Sequence, residues 1–113
     1  MFSYTFRDGD LVVELFCGDG SFIDLMGEDI CKVEYIGMDN CRESLKTAAS
    51  FYSASKISFK YSNPAKTALP RCYADWVIIN GSNLDRITNK IYEEATRIAK
   101  PNGKIILSLL EPM

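Results

Sequence analysis

The chain has 113 residues, 47% of them apolar and 25% charged, with a net charge of −2. That suffices for one globular domain with a modest core and is too short for two. So weak a negative charge excludes electrostatic capture of nucleic acid in bulk, although a local basic patch stays open.

There is no histidine, which removes the commonest metal ligand and the commonest general base. The four cysteines, Cys17, Cys31, Cys41 and Cys72, form neither a Cys-x-x-Cys pair nor a zinc spacing. They are expected to be small apolar residues in a reducing, cytoplasmic setting, with no metal site. No basic-then-apolar leader follows Met1, so no signal peptide is expected. The longest apolar run, near Ile105 to Leu110, is too short to span a bilayer.

In chain order, residues 1–10 alternate apolar and polar before the turn signal Asp8-Gly9-Asp10, and Tyr4 and Phe6 are expected to pack under the first strand. Leu11-Val12-Val13-Glu14-Leu15-Phe16 then reads as a buried parallel strand, Cys17-Gly18-Asp19-Gly20 as a tight loop, and Ser21-Phe22 as the opening of a helix. Two glycines suit a strand-to-helix reversal that leaves no room for a Cβ beside a ligand. The dinucleotide fingerprint requires a third glycine where Ile23 stands. Glu14, Asp19 and Asp24 would also oppose a pyrophosphate at close range. A ligand bearing an ammonium and a sulfonium but no phosphate fits instead, and S-adenosylmethionine is such a ligand.

The first helix is predicted over about 20–28, with Phe22, Leu25 and Met26 on its buried face. The second strand, 32–38, closes at Asp39, about twenty residues past the loop and placed to accept hydrogen bonds from ribose hydroxyls. An acid interacting with the next helix's dipole is the structural alternative for Asp39. Asn40 is predicted to cap a helix over 42–54, with Glu43 completing an approximate capping box and Leu45, Ala48, Ala49 and Tyr52 on one stripe. The third strand, 56–61, alternates as an edge strand would. A crossover through Asn63-Pro64 and Leu69-Pro70 leads to the fourth strand, 74–80, ending at Asn80. The last helix is predicted from near Asn83 to Lys100, burying Leu84, Ile87, Ile91, Ala95 and Ile98; Pro101-Asn102-Gly103 stops it, and a fifth strand follows over 104–110.

Four stretches carry a resemblance. Val13-Glu14-Leu15-Phe16-Cys17-Gly18-Asp19-Gly20 resembles motif I of the class I SAM-dependent methyltransferase superfamily, with Phe16 where many members have a glycine. Gly37-Met38-Asp39 resembles the family's Gly-x-Asp, and Ala74-Asp75-Trp76-Val77 its Phe-Asp-x-Val. Glu94-Ala95-Thr96-Arg97-Ile98-Ala99-Lys100-Pro101-Asn102-Gly103 resembles its Glu-Ala-x-Arg-x-Leu-Lys-Pro-Gly-Gly. A softer match is Asn63 ahead of Leu69-Pro70, where relatives place an Asp that reads the adenine amino group; alternatively it is an Asn-Pro turn with no ligand.

The resemblance implies a single α/β domain over 1–113, a Rossmann-like three-layer sandwich with strand order 3-2-1-4-5. Residues 62–73, extended, reach roughly 40 Å, enough to pass over two strands without a full helix. It implies S-adenosyl-L-methionine as cofactor, held by Glu14, Phe16, Cys17, Gly18, Asp19, Gly20, Asp39, Asn40, Asn63 and Asn80, with Tyr4 a lid candidate. The Asp/Asn-Pro-Pro-aromatic signature of amino-methylating relatives is replaced by Asn80-Gly81-Ser82, so base N-methylation is not expected by that signature. Relatives continue past strand five into strands six and seven, which the sequence lacks, so an apolar edge is expected to be covered by a second copy or another protein. Methyl transfer to an unidentified acceptor is the leading function. A non-catalytic SAM-binding or scaffold subunit and, behind it, a nicotinamide-dependent enzyme are the alternatives.

Overall fold

The structure is a computed structural model that describes residues 5–81 and 87–108. Five strands form one sheet: β1 (Leu11–Leu15), β2 (Glu34–Asp39), β3 (Ile57–Tyr61), β4 (Ala74–Asn80) and β5 (Ala99–Ser108). Every pairing is parallel, as the patterning predicted, and their order is β3-β2-β1-β4-β5, as the resemblance implied. β1, at the centre, is buried at every residue, which is why its sequence does not alternate and is apolar apart from Glu14. β3 alternates and lies at the edge.

Helices α1 (Ser21–Met26), α2 (Arg42–Phe51) and α3 (Asn89–Ile98) connect the strands. Side chains alternate along each strand, so the sheet has two apolar faces. On one, Val12, Tyr35, Trp76, Ile78 and Ile106 pack with Phe22, Ile23 and Met26 of α1. On the other, Val13, Leu15, Ile36, Val77 and Ile79 pack with Ile91, Ala95 and Ile98 of α3 and with Leu69 of the crossover. Phe6 is buried under the sheet as predicted, its ring 4.6 Å from that of Trp76, whereas Tyr4 lies outside the described residues.

Several boundaries differ from those expected of the sequence. The first helix stops at Met26, and Gly27–Cys31 continue as a 3₁₀ turn, so β2 begins at Glu34 rather than Lys32. Within α1 the buried face is Phe22, Ile23 and Met26, and Leu25 is exposed. Cys41, not Asn40, occupies the N-cap of α2; no side chain caps that helix, and Ala49 is exposed while Leu45 and Ala48 are buried. α3 begins at Asn89 after Thr88; Ile87 precedes the helix but packs on the core, and Asn83 and Leu84 lie outside the described residues.

The Pro101-Asn102-Gly103 turn is absorbed into β5. Ala74 faces Ala99 while Trp76 faces Lys104, a bulge that admits the proline where no ladder donor is needed.

Two devices beyond the apolar faces hold the connections. Glu94 and Arg97 of α3 pair through two bonds, Nε–Oε1 at 2.7 Å and Nη2–Oε2 at 2.8 Å. Glu94 Oε2 also accepts from Thr67 N and Oγ1, and Arg97 Nη2 donates to the Leu69 carbonyl at 2.7 Å. The Glu-x-x-Arg of the last motif thus clamps the helix-free crossover, and Arg97 with Thr67 draws the Glu94 carboxyl down to about 2. At the start of β4, Asp75 Oδ2 accepts the Leu11 N–H at 2.8 Å and Oδ1 the Lys100 ammonium at 3.0 Å. Asp75 therefore ties β4 to β1 and to β5, away from the glycine loop.

Candidate functional site

The strand order reverses between β1 and β4, and the chain leaves their carboxyl ends in opposite directions, which opens a crevice there. The loop after β1 forms one wall. Cys17 N–H donates to the Met38 carbonyl at 3.1 Å and Gly20 N–H to the Cys17 carbonyl at 3.0 Å, so the loop is a tight turn anchored on β2. Gly18 and Gly20 both take positive φ, 57° and 90°. A Cβ at Gly20 would approach the Tyr52 ring to 2.8 Å, whereas one at Gly18 would meet nothing within 4 Å. Gly20 is there for packing; Gly18 presents bare backbone to open space.

Phe16 also adopts a positive φ, 61°. An L side chain there costs roughly 1–2 kcal/mol, which explains why glycine is common at this point of the motif. Here the ring is buried with Leu15 and Met38 on the α3 face of the sheet, which offsets the strain.

Asp39, 1% exposed, receives the loop. Its Oδ2 accepts the Gly18 N–H at 2.9 Å and its Oδ1 the Cys41 N–H at 3.0 Å, so one carboxylate braces the glycine turn and the entry to α2. Gly37, two residues earlier, is needed for closeness: a Cβ there would lie 2.9 Å from both Cys17 Sγ and Tyr35 Oη. Gly-x-Asp is therefore one packing unit with the loop.

Glu14 points to the α1 face and is completely buried. The Tyr35 hydroxyl donates to its Oε1, and Asn80 Nδ2 donates to Oε2 at 3.3 Å. Burial pushes the Glu14 carboxyl up to about 8, against the lowering by these two bonds. The same burial, with Glu14 alongside, raises the Cys17 thiol, leaving it an inert apolar group at neutral pH.

The remaining predicted residues stand further out. Asp19 is exposed, and its Oδ1 accepts from Ser21 N at 3.2 Å and Ser21 Oγ at 2.5 Å at the start of α1. Asn40 is exposed beside Asp39. Asn63 is exposed and its Oδ1 accepts the Ala65 N–H at 2.9 Å, the bond of an Asn-Pro turn. That turn still borders the crevice, because the Ser62 N–H donates to the Asp39 carbonyl at 2.9 Å.

Glu14, Cys17, Gly18, Asp39 and Asn80 thus form one connected unit, with Asp19 and Gly20 on its loop and Asn40 and Asn63 on its rim. Tyr35, the donor to Glu14, was not singled out in the sequence. Its signal was a phenol at a fully buried, inward position directly beside the central acid strand.

Among the described residues no group of acids and cysteines is gathered as a metal site would require. The lining residues fit an adenosyl ligand rather than a pyrophosphate. A buried carboxylate stands at the strand end, acids crowd the loop, and bare glycine backbone faces the open space.

A parallel sheet with this reversal point and this glycine turn defines a Rossmann-like α/β fold. A family model described as a methyltransferase domain matches residues 6–111, and the chain belongs to that family. It falls within the class I SAM-dependent methyltransferase superfamily.

Similar solved structures include a protein named as a methyltransferase in complex with the Haloferax volcanii Trm112 methyltransferase activator, at 23% identity and a TM-score of 0.74, covering 88% of this chain and 44% of that one. An S-adenosylmethionine-dependent methyltransferase from Mesorhizobium loti is 19% identical at a TM-score of 0.74, covering 88% and 46%. The [4+2]-cyclase SpnF is 16% identical at 0.77, covering 88% and 39%. At such identities these likenesses establish the fold, and the chain spans less than half the length of each. No curated protein matches it in sequence. No helix among the described residues is long and apolar enough to cross a membrane.

Proposed function

We propose that the chain binds S-adenosyl-L-methionine at the β1–β4 crevice and takes part in transfer of its methyl group to an acceptor. The observation that carries this reading is the Asp39 carboxylate, buried at the end of β2 and bonded to the Gly18 N–H. The acid that would accept the ribose hydroxyls is the one that sets the loop beside which the adenosyl group would lie. Gly18 would face the amino-acid part of the ligand, Asp19 and Asn80 the region of the methyl group, and Asn40 the ribose. Asn63 contributes to the adenine end only if its amide can serve the turn and the base together. Bound there, the cofactor supplies an electrophilic methyl on sulfur, open to in-line attack. The protein's part is orientation and exclusion of water. With no histidine, proton removal from an acceptor falls to a carboxylate, Tyr or Lys, or is unnecessary.

The domain reading covers 1–113, in a cytoplasmic protein; the four free cysteines are in keeping with a reducing compartment. Among the described strands nothing pairs with the outer edge of β5, where Ile105 is 41% and Leu107 39% exposed. A second copy or another protein covering that edge accords with both features. A protein that remains monomeric in sedimentation at high concentration would remove this part of the proposal.

A non-catalytic SAM-binding or scaffold subunit is the second reading, favoured by the occupation of Asn63 within its own turn. The experiment is a calorimetric titration with S-adenosylhomocysteine and with NAD, followed by incubation with labelled S-adenosylmethionine and a cell extract. Binding with a labelled product supports the methyltransferase, and binding without product supports the scaffold. Preference for NAD, or indifference to both ligands, sinks the adenosyl reading.

A further inference from the structure

Glu14 is an acid at the centre of the sheet, and among the described residues no cation lies beside it. From β2 it faces the Tyr35 hydroxyl and, at the strand's end, Asp39; from the loop, the Cys17 thiol and Asp19; from β4, the Asn80 amide. Across the loop, the Tyr52 ring lies against Gly20 and Asp24 bonds to the Tyr52 hydroxyl. All of these groups are neutral or acidic.

Two neutral donors do not replace the water that an ionised carboxylate loses on complete burial. The 3.3 Å separation between Asn80 Nδ2 and Oε2 is long for a bond to a charged acceptor. Turning the Asn80 amide over would instead let its oxygen accept a proton carried on Oε2. The elevation of the carboxyl to about 8 has the same origin. A positive charge brought close reverses the balance, since it favours the ionised form.

We propose that Glu14 carries a proton in the ligand-free protein and releases it when a cationic ligand enters the crevice, so that cofactor binding is linked to proton release. This rests on the cofactor reading above. The O–H bond of the Glu14 carboxyl breaks, the proton passes to solvent buffer, and the resulting carboxylate compensates the incoming positive charge. Affinity then rises with pH wherever the free protein is protonated and the complex is not, by up to about tenfold per pH unit. Glu14 so acts as a charge-matched gate that favours the cationic sulfonium over neutral nucleosides.

The test is titration of the whole chain with S-adenosylmethionine at pH 7 in two buffers of different ionisation enthalpy, with Glu14→Gln run alongside. The ligand's own amino group titrates, and the Gln substitution isolates that contribution. Per site, the wild type should release more protons than Glu14→Gln by about half a proton or more, and its affinity should rise several-fold from pH 6.5 to 7.5 while that of Glu14→Gln changes less. Infrared difference spectra of the wild type give a second readout that needs no substitution: the band of a buried protonated carboxyl should be lost on adding ligand. Binding with no excess proton release, or with no carboxyl band to lose, overturns the inference alone. No binding at all overturns the cofactor reading and this inference with it.

Discussion

Asp39→Ala separates the two jobs assigned to that residue. In the ligand-free protein it removes the acceptor for two backbone N–H groups, those of Gly18 and Cys41, at 2.9 and 3.0 Å. Hydrogen bonds to charged acceptors contribute about 1.5–3 kcal/mol each. The two share one carboxylate, and water can enter beside the exposed Asn40, so the sum is discounted to roughly 2–4 kcal/mol. At about 4 °C per kcal/mol for a domain of this size, thermal unfolding should fall by roughly 8–16 °C.

On top of that, the ribose contact should cost S-adenosylhomocysteine about 1.5–3 kcal/mol, or roughly 10- to 150-fold in Kd. Asp39→Asn keeps one acceptor oxygen but turns an amide NH₂ toward the second N–H, so it should lose stability while retaining part of the ribose affinity. Differential scanning fluorimetry reads the first quantity, and calorimetric titration below the lowered transition reads the second. An unchanged transition in the Ala variant would refute the brace. An unchanged Kd would refute the ribose role and leave Asp39 a purely structural acid.

Two glycine substitutions should behave oppositely. Gly20→Ala drives a methyl into the Tyr52 ring at 2.8 Å and should destabilise by about 1–3 kcal/mol in urea melts. Gly18→Val should lose ligand affinity altogether; its Cβ meets no neighbour, so its stability cost is the roughly 1–2 kcal/mol strain of an L side chain at φ 57°; intact titration heats would contradict the loss of affinity. Glu94→Gln weakens the clamp on Thr67 and Arg97 and should cost about 2 kcal/mol at pH 7. The Glu94 carboxyl is held near 2, below its unfolded 4.5, so its stabilisation is present above pH 4.5 and is lost as pH falls toward 2. Wild type and variant should therefore converge in acid. Glu14 has the opposite sign: its native carboxyl is raised to about 8, so stability should decline as pH rises from 4.5 toward 8, by at most about 1.4 kcal/mol per unit. Glu14→Gln should flatten that slope in denaturation curves at pH 5.5 and 7.5.

The sheet was legible because its cause is local. A run such as Leu11–Leu15, apolar on both faces apart from Glu14, can be satisfied only between two covered faces, and the alternating Ile57–Tyr61 only at an edge. Boundaries were less legible because they depend on what packs across them. Leu25 fits a helical stripe, yet α1 packs through Phe22, Ile23 and Met26 and leaves Leu25 exposed, and Asn40 has the chemistry of a cap while the backbone of Cys41 takes the position. The bulge that carries Pro101 through β5 arises from pairing with β4, where Ala74 meets Ala99 and Trp76 meets Lys104.

Residue types and spacing alone determined the parallel sheet and the acids around the Gly18 loop, since periodicity and glycine placement are properties of the chain itself; the reversal point came with the family resemblance. Tertiary structure decided what each acid experiences. Asp39 becomes a brace only when β2 brings it to the Gly18 N–H, and Glu14 becomes a buried, proton-holding group only when Tyr35 and Asn80 close over it from neighbouring strands. Desolvation and hydrogen bonding are set by atoms far away in sequence, and no local pattern encodes them.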